Sequence, residues 1–286
     1  MAAKIAVIGI CGNSFFLQVD HFHKVGETVI ANSMYEEIGG KGINQAVAAS
    51  RMGAEVSFLA AIGDDLNADK CIKAAKENGL KASFSIKEGE DTTIAFILTD
   101  KEGENRVTGM HGAKLSVSDV EGFEIQIKEA DILLLQQEVP VEVNERAIEI
   151  ANKYDTKVIL NPAPAREISS YIADHVFLII PNEAEQEAVD IRRFKNCITT
   201  LGSKGCLING ETAIPSLNVK AVDTTGAGDT FNGVLATCIA EGMHLETAAK
   251  YAVSASGLSV AKKYVLNAIP YRDEIEAHVI MKEKPQ

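Results

Sequence analysis

Asp131-Ile-Leu-Leu-Leu-Gln136 and Lys157-Val-Ile-Leu160 are short apolar runs, and residues 141–153 between them read as a helix. Strands without polar alternation are buried on both faces, as in a parallel sheet covered by helices. The same order continues downstream. Residues 175–180, 196–200 and 206–209 are further strands, and helices fall near 182–189, 227–241, 245–262 and 271–281. Upstream, residues 4–9 give a buried first strand and 56–62 another. Helices are expected over residues 41–52 and 65–78, stopped by Gly53 and Gly79. The expected architecture is α/β, a central sheet with helices on both sides.

Two regions do not fit that layering. Extended pieces lie at residues 15–20 and 28–36, and a hairpin at 92–99 and 104–109 turns around Lys101-Glu102-Gly103. They are expected to form a small separate sheet. Phe15-Phe-Leu-Gln-Val and Ile94-Ala-Phe-Ile-Leu carry apolar side chains there that need cover from a cleft or a second subunit. His21 and His23 would share one face of such a strand.

The chain has 286 residues, 46% of them hydrophobic, enough for one large domain or two small ones. No linker, low-complexity stretch or fixed-period repeat divides it. A formal net charge of −12 without a Lys/Arg cluster argues against nucleic acid or an anionic membrane as partner. Small molecules are the expected partners, and an anionic ligand must be met by local amides and single cations. Five cysteines with no Cys-x-x-Cys pair fit free thiols in a reducing compartment. The start reads as a strand rather than a signal peptide, and no apolar stretch is long enough to span a bilayer. A cytoplasmic protein is expected.

Chemistry concentrates in Asp223-Thr-Thr-Gly-Ala-Gly-Asp229-Thr-Phe-Asn-Gly233. Phe231, Val234, Leu235, Cys238 and Ile239 form the apolar stripe of the helix that follows, which Gly242 ends. Free amides at a helix N-terminus bind phosphate, and the helix dipole favours a carboxylate there. Asp229 is therefore placed to accept a proton from a hydroxyl attacking phosphate. Taken alone, the run reads better as a capped helix start, with Asp229 only a first-turn acid. A second constellation, Gly39-Gly-Lys-Gly-Ile-Asn-Gln-Ala, lies early in the chain. It is no Walker A loop, because Gly42 follows Lys41. Its glycines let backbone approach a ligand, and Asn44 presents an amide from the first helical turn. An ordinary glycine turn reads the same way.

Together, the two constellations resemble the paired motifs of the ribokinase-like (PfkB) carbohydrate kinases. Gly26-Glu-Thr-Val, Asn161-Pro-Ala-Pro-Ala-Arg, Pro181-Asn-Glu-Ala-Glu and Thr200-Leu-Gly-Ser-Lys-Gly extend the resemblance over nearly the whole chain, toward the ribokinase branch of that family. It implies a Rossmann-like, mostly parallel α/β core with a small β-sheet lid. Residues 1–286 would be a single domain with lid segments near 13–36 and 92–110. The implied activity is ATP-dependent phosphorylation of the hydroxymethyl group of ribose or a related small sugar. Asp229 would be the base, with the amides of Gly226, Ala227, Gly228 and Asp229 as anion hole. Gly40, Lys41, Asn44 and Glu138 match sugar-holding positions, and Glu138 follows a parallel strand at its ligand-binding end. Asn182 and Glu185 match a motif that organises Mg²⁺ and phosphate through water, although the same spacing is a helix cap with its box partner. Thr200, Gly202, Ser203 and Gly205 would line ATP. Asp223 and Thr225 correspond to ligands of a monovalent cation, K⁺. A homodimer through the lid is expected.

Three departures mark the chain. The family usually places Asn-x-Asp after the first strand to grip sugar hydroxyls. An ungapped count puts Gly12 and Ser14 there, and Asn13 substitutes only by a one-residue shift. The family's Lys-Gly-Ala near the last proline reads Lys263-Tyr264-Val265 here. Relatives also carry a helix between Glu187 and Asn196 for which this chain has no room. Other substrates remain open: fructose, a nucleoside, or a keto-deoxy sugar acid, for which only Lys41 and Arg106 offer cations. A non-catalytic sugar- or nucleotide-binding regulator is the alternative from outside enzymes.

Overall fold

Along β1 (Lys4–Ile8), Ile5 and Val7 point to one helical layer, while Ala6 and Ile8 point to the other. This double burial is why the strand shows no polar alternation. The structure, a computed structural model, describes residues 2–283, and only the backbone of 280–283. After β1 come β2 (Gly12–Gln18), β3 (Ser33–Gly39), α1 (Lys41–Arg51), β4 (Glu55–Ile62), α2 (Leu66–Glu77) and β5 (Lys81–Ile86). Next are β6 (Ile94–Thr99), β7 (Asn105–Met110), α3 (Val117–Glu121), α4 (Glu124–Glu129), β8 (Ile132–Gln136), α5 (Val141–Lys153) and β9 (Lys157–Asn161). Then follow α6 (Ser170–His175), β10 (Leu178–Ile179), α7 (Glu183–Ala188), β11 (Ile198–Thr200), β12 (Cys206–Ile208) and β13 (Thr212–Ile214). The described chain closes with α8 (Ala227–Ala240), α9 (Leu245–Ser259) and α10 (Arg272–Glu283).

The central sheet has the order β10-β9-β8-β1-β4-β5, with every neighbouring pair parallel. Helices α1, α2, α8, α9 and α10 cover one face, and α3, α4, α5 and α6 the other. The strand order runs outward from β1 in both directions. Its reversal between β1 and β8 opens a crevice at the strands' C-terminal ends, where such folds bind ligands.

The lid is a four-stranded sheet of order β3-β2-β6-β7. Strands β2 and β6 are parallel, and the outer pairs are antiparallel. Several expectations shift. The second lid strand begins at Ser33 rather than Thr28, so His21 and His23 lie in the loop before it, where His21 bonds Glu27 at 2.9 Å. Residues 170–175 are helical because Ser169 caps Ile172, and the strand expected over 175–180 shrinks to two residues. Strand β5 was not expected, since its half-buried mixture of Ser, Ala and Phe has no clear period. Strands β11, β12 and β13 form a separate antiparallel sheet in that order, joined to the β10 side by the isolated parallel bridges Ile179–Cys197 and Asn182–Thr200. One 3₁₀ turn at Ile191–Arg193 lies in the short connection from α7 to β11.

Candidate active site

The crevice at the β1–β8 reversal is where the two glycine-containing constellations meet. Helix α1 starts there at Lys41, directly after lid strand β3, and α8 packs against α1 with its first turn at the same end. Asp229, only 7% exposed, sits in that turn. Asn44 donates to its Oδ2 at 2.9 Å, and Gln45 donates to its Oδ1 at 3.0 Å. Gln45 also donates to Asn161 Oδ1 at 3.1 Å and accepts from Gln136 at 2.8 Å. One amide thus ties α8 to the ends of β8 and β9. Gln45, Gln136 and Asn161 were missed as site residues, although Gln45 and Asn161 stand inside the quoted motifs.

The start of α8 presents free donors. Gly226 has φ 74°, a left-handed conformation that favours glycine, and an added Cβ would collide with Val265. The amides of Gly226, Gly228 and Asp229 have no acceptor among the described residues, whereas Ala227 N–H reaches Thr224 O at 3.3 Å. Three of the four expected anion-hole amides are therefore open. Asn44 Oδ1 is likewise buried without a partner, beside Asp229.

Lys41 and Glu138 complete the core wall of this site. Glu138 Oε2 accepts the Lys41 backbone amide at 2.8 Å. The Lys41 ammonium is stabilised by Asp229 first, against its own burial, and then by Glu138 and Glu185, so its pKa is raised. Burial pushes the Glu138 carboxyl up to about 7, with Asp229 adding to the rise and Lys41 opposing it. Folded chain thus holds a proton there that unfolded chain releases above about pH 4.5. The associated stability is present in full below that pH and is lost as pH rises through about 7. Glu138→Gln should therefore lose less stability than the parent between these limits, measured as urea midpoints. Parallel curves would contradict the assignment.

A cavity of about 250 Å³ joins these groups to the lid. Strand alternation decides what the lid shows it. Gly12, Ser14 and Phe16 face inward, while Phe15 faces out and stacks on Phe96 at 5.3 Å. Asn13 belongs to the same lining: its amide nitrogen donates to Glu36 at 2.5 Å and Asn67 at 2.8 Å, and its Oδ1 is buried without a partner. Arg106 lies over the Phe22 ring, away from the cavity. An adjoining cavity of about 430 Å³ shares Ile10, Thr93 and Glu138 and is lined by His111, Lys114 and Arg166.

The loop after α9 locks onto the lid. Glu37, buried on β3, accepts the amides of Val265 at 2.9 Å and Asn267 at 3.1 Å. Tyr264, at φ 68°, stacks on Tyr35 with ring centres 3.7 Å apart and meets Phe16 edge-on at 5.5 Å. A tyrosine in the left-handed region is strained, and this aromatic cluster holds it there.

Of the remaining expected residues, Thr225 lines the Asp229 cavity and Asn182, Glu185, Thr200, Gly202, Ser203, Gly205 and Asp223 do not. Asn182 and Glu185 form a full capping box at α7, with Glu185 N–H donating to Asn182 Oδ1 at 2.7 Å and Asn182 N–H to Glu185 Oε2 at 2.9 Å. Asn182 bridges to Thr200, which places Gly202, Ser203 and Gly205 on the adjacent turn. Asp223 Oδ1 accepts the Thr225 amide at 3.0 Å and hydroxyl at 2.7 Å, and its Oδ2 accepts the Tyr264 amide at 3.0 Å. No group of three or more His, Cys, Asp or Glu side chains forms a metal cage among the described residues. No helix among them is long and apolar enough to cross a membrane.

The arrangement has known counterparts. The family described as pfkB family carbohydrate kinase matches residues 2–272. Ribokinase of Bacillus subtilis is 35% identical over 96% of this chain and 98% of its own length. The crystal structure of ribokinase from Thermotoga maritima superposes with a TM-score of 0.88 at 34% identity, covering 97% of this chain and 99% of that one. Arabidopsis thaliana ribokinase, solved with ribose and ATP, gives a TM-score of 0.84 at 26% identity over 98% of this chain and 99% of its own.

Proposed function

The chain belongs to the pfkB family of carbohydrate kinases, and from that premise we propose that it transfers the γ-phosphate of ATP to the hydroxymethyl group of ribose or a related small sugar. It is a phosphotransferase with an alcohol acceptor. One observation carries the reading: Asp229 is fixed by Asn44 and Gln45 in the first turn of α8, beside three open amides and facing the cavity. Asp229 takes the hydroxyl proton as the sugar oxygen bonds to the γ-phosphorus, while the bond to the bridging oxygen breaks and ADP leaves. The amides of Gly226, Gly228 and Asp229 receive the charge on the moving group, as preorganised donors do. Ala227 takes part by spacing them. Gly40, Lys41, Asn44, Glu138 and Ser14 hold the sugar. ATP lies along Asn182, Thr200, Gly202, Ser203 and Gly205.

A divalent cation, Mg²⁺, neutralises phosphate charge when bound with ATP. Glu185 fits it through water: its carboxylate is exposed, and the capping bonds leave lone pairs on both oxygens. K⁺ at Asp223 and Thr225 would have to displace the hydroxyl bond between them. Residues 1–286 act as one catalytic domain with the lid as its cover, in the cytoplasm. Met34 and Phe96 leave apolar surface on the lid's outer face, which supports a homodimer through that face. A single monomeric species in sedimentation at micromolar concentration would count against the dimer.

A sugar-acid acceptor is the second reading, favoured by Lys114 and Arg166 in the cavity that adjoins Glu138. A coupled ADP assay over pentoses, fructose, nucleosides and a keto-deoxy sugar acid tests both. Sugar-dependent ATP consumption is expected, strongest with neutral pentoses. Strict preference for the acid would reverse the ranking, and no acceptor-dependent consumption would leave a binding protein.

A further inference from the structure

Two side-chain amides hold Asp229, and they are not equivalent. Asn44 lines the cavity with Asp229, whereas Gln45 does not. Among the described residues, Asp229 is the one partner of the Asn44 amide, and Asn44 Oδ1 has none. The Asn44 side chain is therefore free to turn toward a ligand. Gln45 is fully buried, and its whole amide is engaged. Its nitrogen donates to Asp229 Oδ1 at 3.0 Å and to Asn161 Oδ1 at 3.1 Å, and its Oε1 accepts from Gln136 at 2.8 Å.

The sense of this chain is fixed at its far end. Asn161 Nδ2 donates to the Ile180 backbone carbonyl at 3.0 Å. A carbonyl only accepts, so Asn161 turns its nitrogen to Ile180 and its oxygen to Gln45. Gln45 must then present its nitrogen to Asn161, and the second N–H on that nitrogen is left for Asp229. The reverse sense would set the Gln45 oxygen against two other oxygens in a buried site, which is unfavourable. The backbone of Gln45 is fixed as well, because its carbonyl is pressed against Gly233 where α1 crosses α8. An apolar side chain at position 45 would fill this space without burying polar groups. What the amide adds is direction.

We propose that Gln45 is a positioning residue for Asp229. It holds the carboxylate from behind, anchored through Asn161 to the Ile180 carbonyl, so that the lone pairs not used by amides stay turned to the acceptor hydroxyl. Asn44 can exchange partners as the acceptor arrives while the base keeps its aim. This rests on the kinase reading above and deepens it.

The test is a double-mutant cycle in full-length protein with ATP, Mg²⁺ and the acceptor that the ADP assay ranks first: the parent, Gln45→Met, Asp229→Asn and the pair. Met keeps the length of the side chain and loses its hydrogen bonds. Q45M should lower kcat by about 10²-fold, the effect of misplacement by an ångström, with the acceptor KM within about twofold of the parent. In the D229N background the same change should lower kcat by less than about twofold, because the group that Gln45 aims is gone. Gln45→Asn keeps an amide on α1 but withdraws it from Asp229 by one methylene, and should show the same split, should Q45M not fold. A kcat within about twofold of the parent in both variants overturns the inference. So does an equal loss in the two backgrounds, which a purely structural role would produce. Absence of ATP consumption by the parent with every acceptor is distinguishable from these, because it removes the kinase reading and the inference with it.

Discussion

Asp229→Asn should lower turnover by about 10²–10⁴-fold, the usual contribution of a positioned general base, while leaving fold and ATP binding intact. The local hydrogen bonding explains why the fold should survive. The new amide faces two donors, from Asn44 and Gln45. Asn44 Oδ1 is unpartnered, so a flip of the Asn44 amide lets it accept from residue 229. Sugar-dependent ADP release measures the first part, and urea unfolding with nucleotide titration the second. Turnover within about twofold of the parent would remove Asp229 from the proton transfer, since even weak general-base catalysis exceeds that.

Gly233→Ala should act on the same carboxylate from one helical turn away. Helices α1 and α8 cross where Gly233 meets the backbone of α1. A Cβ there would stand 2.6 Å from Ala48 Cβ and 2.9 Å from Ala49 N, and would overlap the Gln45 carbonyl. No flexible side chain can give way, so the helices must separate. Overpacking of this kind costs roughly 1–3 kcal/mol. The same displacement carries Asp229 away from Asn44 and Gln45, and misplacement by an ångström can cost about 10²-fold in rate. The expected variant is folded, with a lower urea midpoint and kcat reduced by about 10²-fold. Parent-like kcat with a lowered midpoint would show that the crossing sets stability alone.

The layered core was legible because its strands are double-buried. Ile132 to Leu135 carry no polar residue, and only a sheet covered on both faces satisfies that. Lid strands were harder: Thr28 to Asn32 are β-favouring by composition yet lie outside the sheet, because pairing of Gly12 with Gly39 sets the register. Asp229 and Asn44 could be singled out from glycine spacing and helix starts, and Lys41 from the family resemblance; all three line one cavity. Gln45 could not, since its partners Gln136 and Asn161 are 91 and 116 residues away. The commitment of Glu37 to the loop after α9 was hidden for the same reason, at a separation of 228 residues.

That last contact ties two ends of the crevice mechanically. The sheet that roofs the cavity and the segment of chain that borders the open amides of α8 share one clasp, made of a carboxylate, two amides and a pair of stacked phenols. Lifting the roof means undoing the clasp, and undoing it frees the border of Gly226 against which Val265 rests. On the proposed function, a sugar entering beneath that roof would therefore press on the same loop that borders the amides meant for the phosphoryl group.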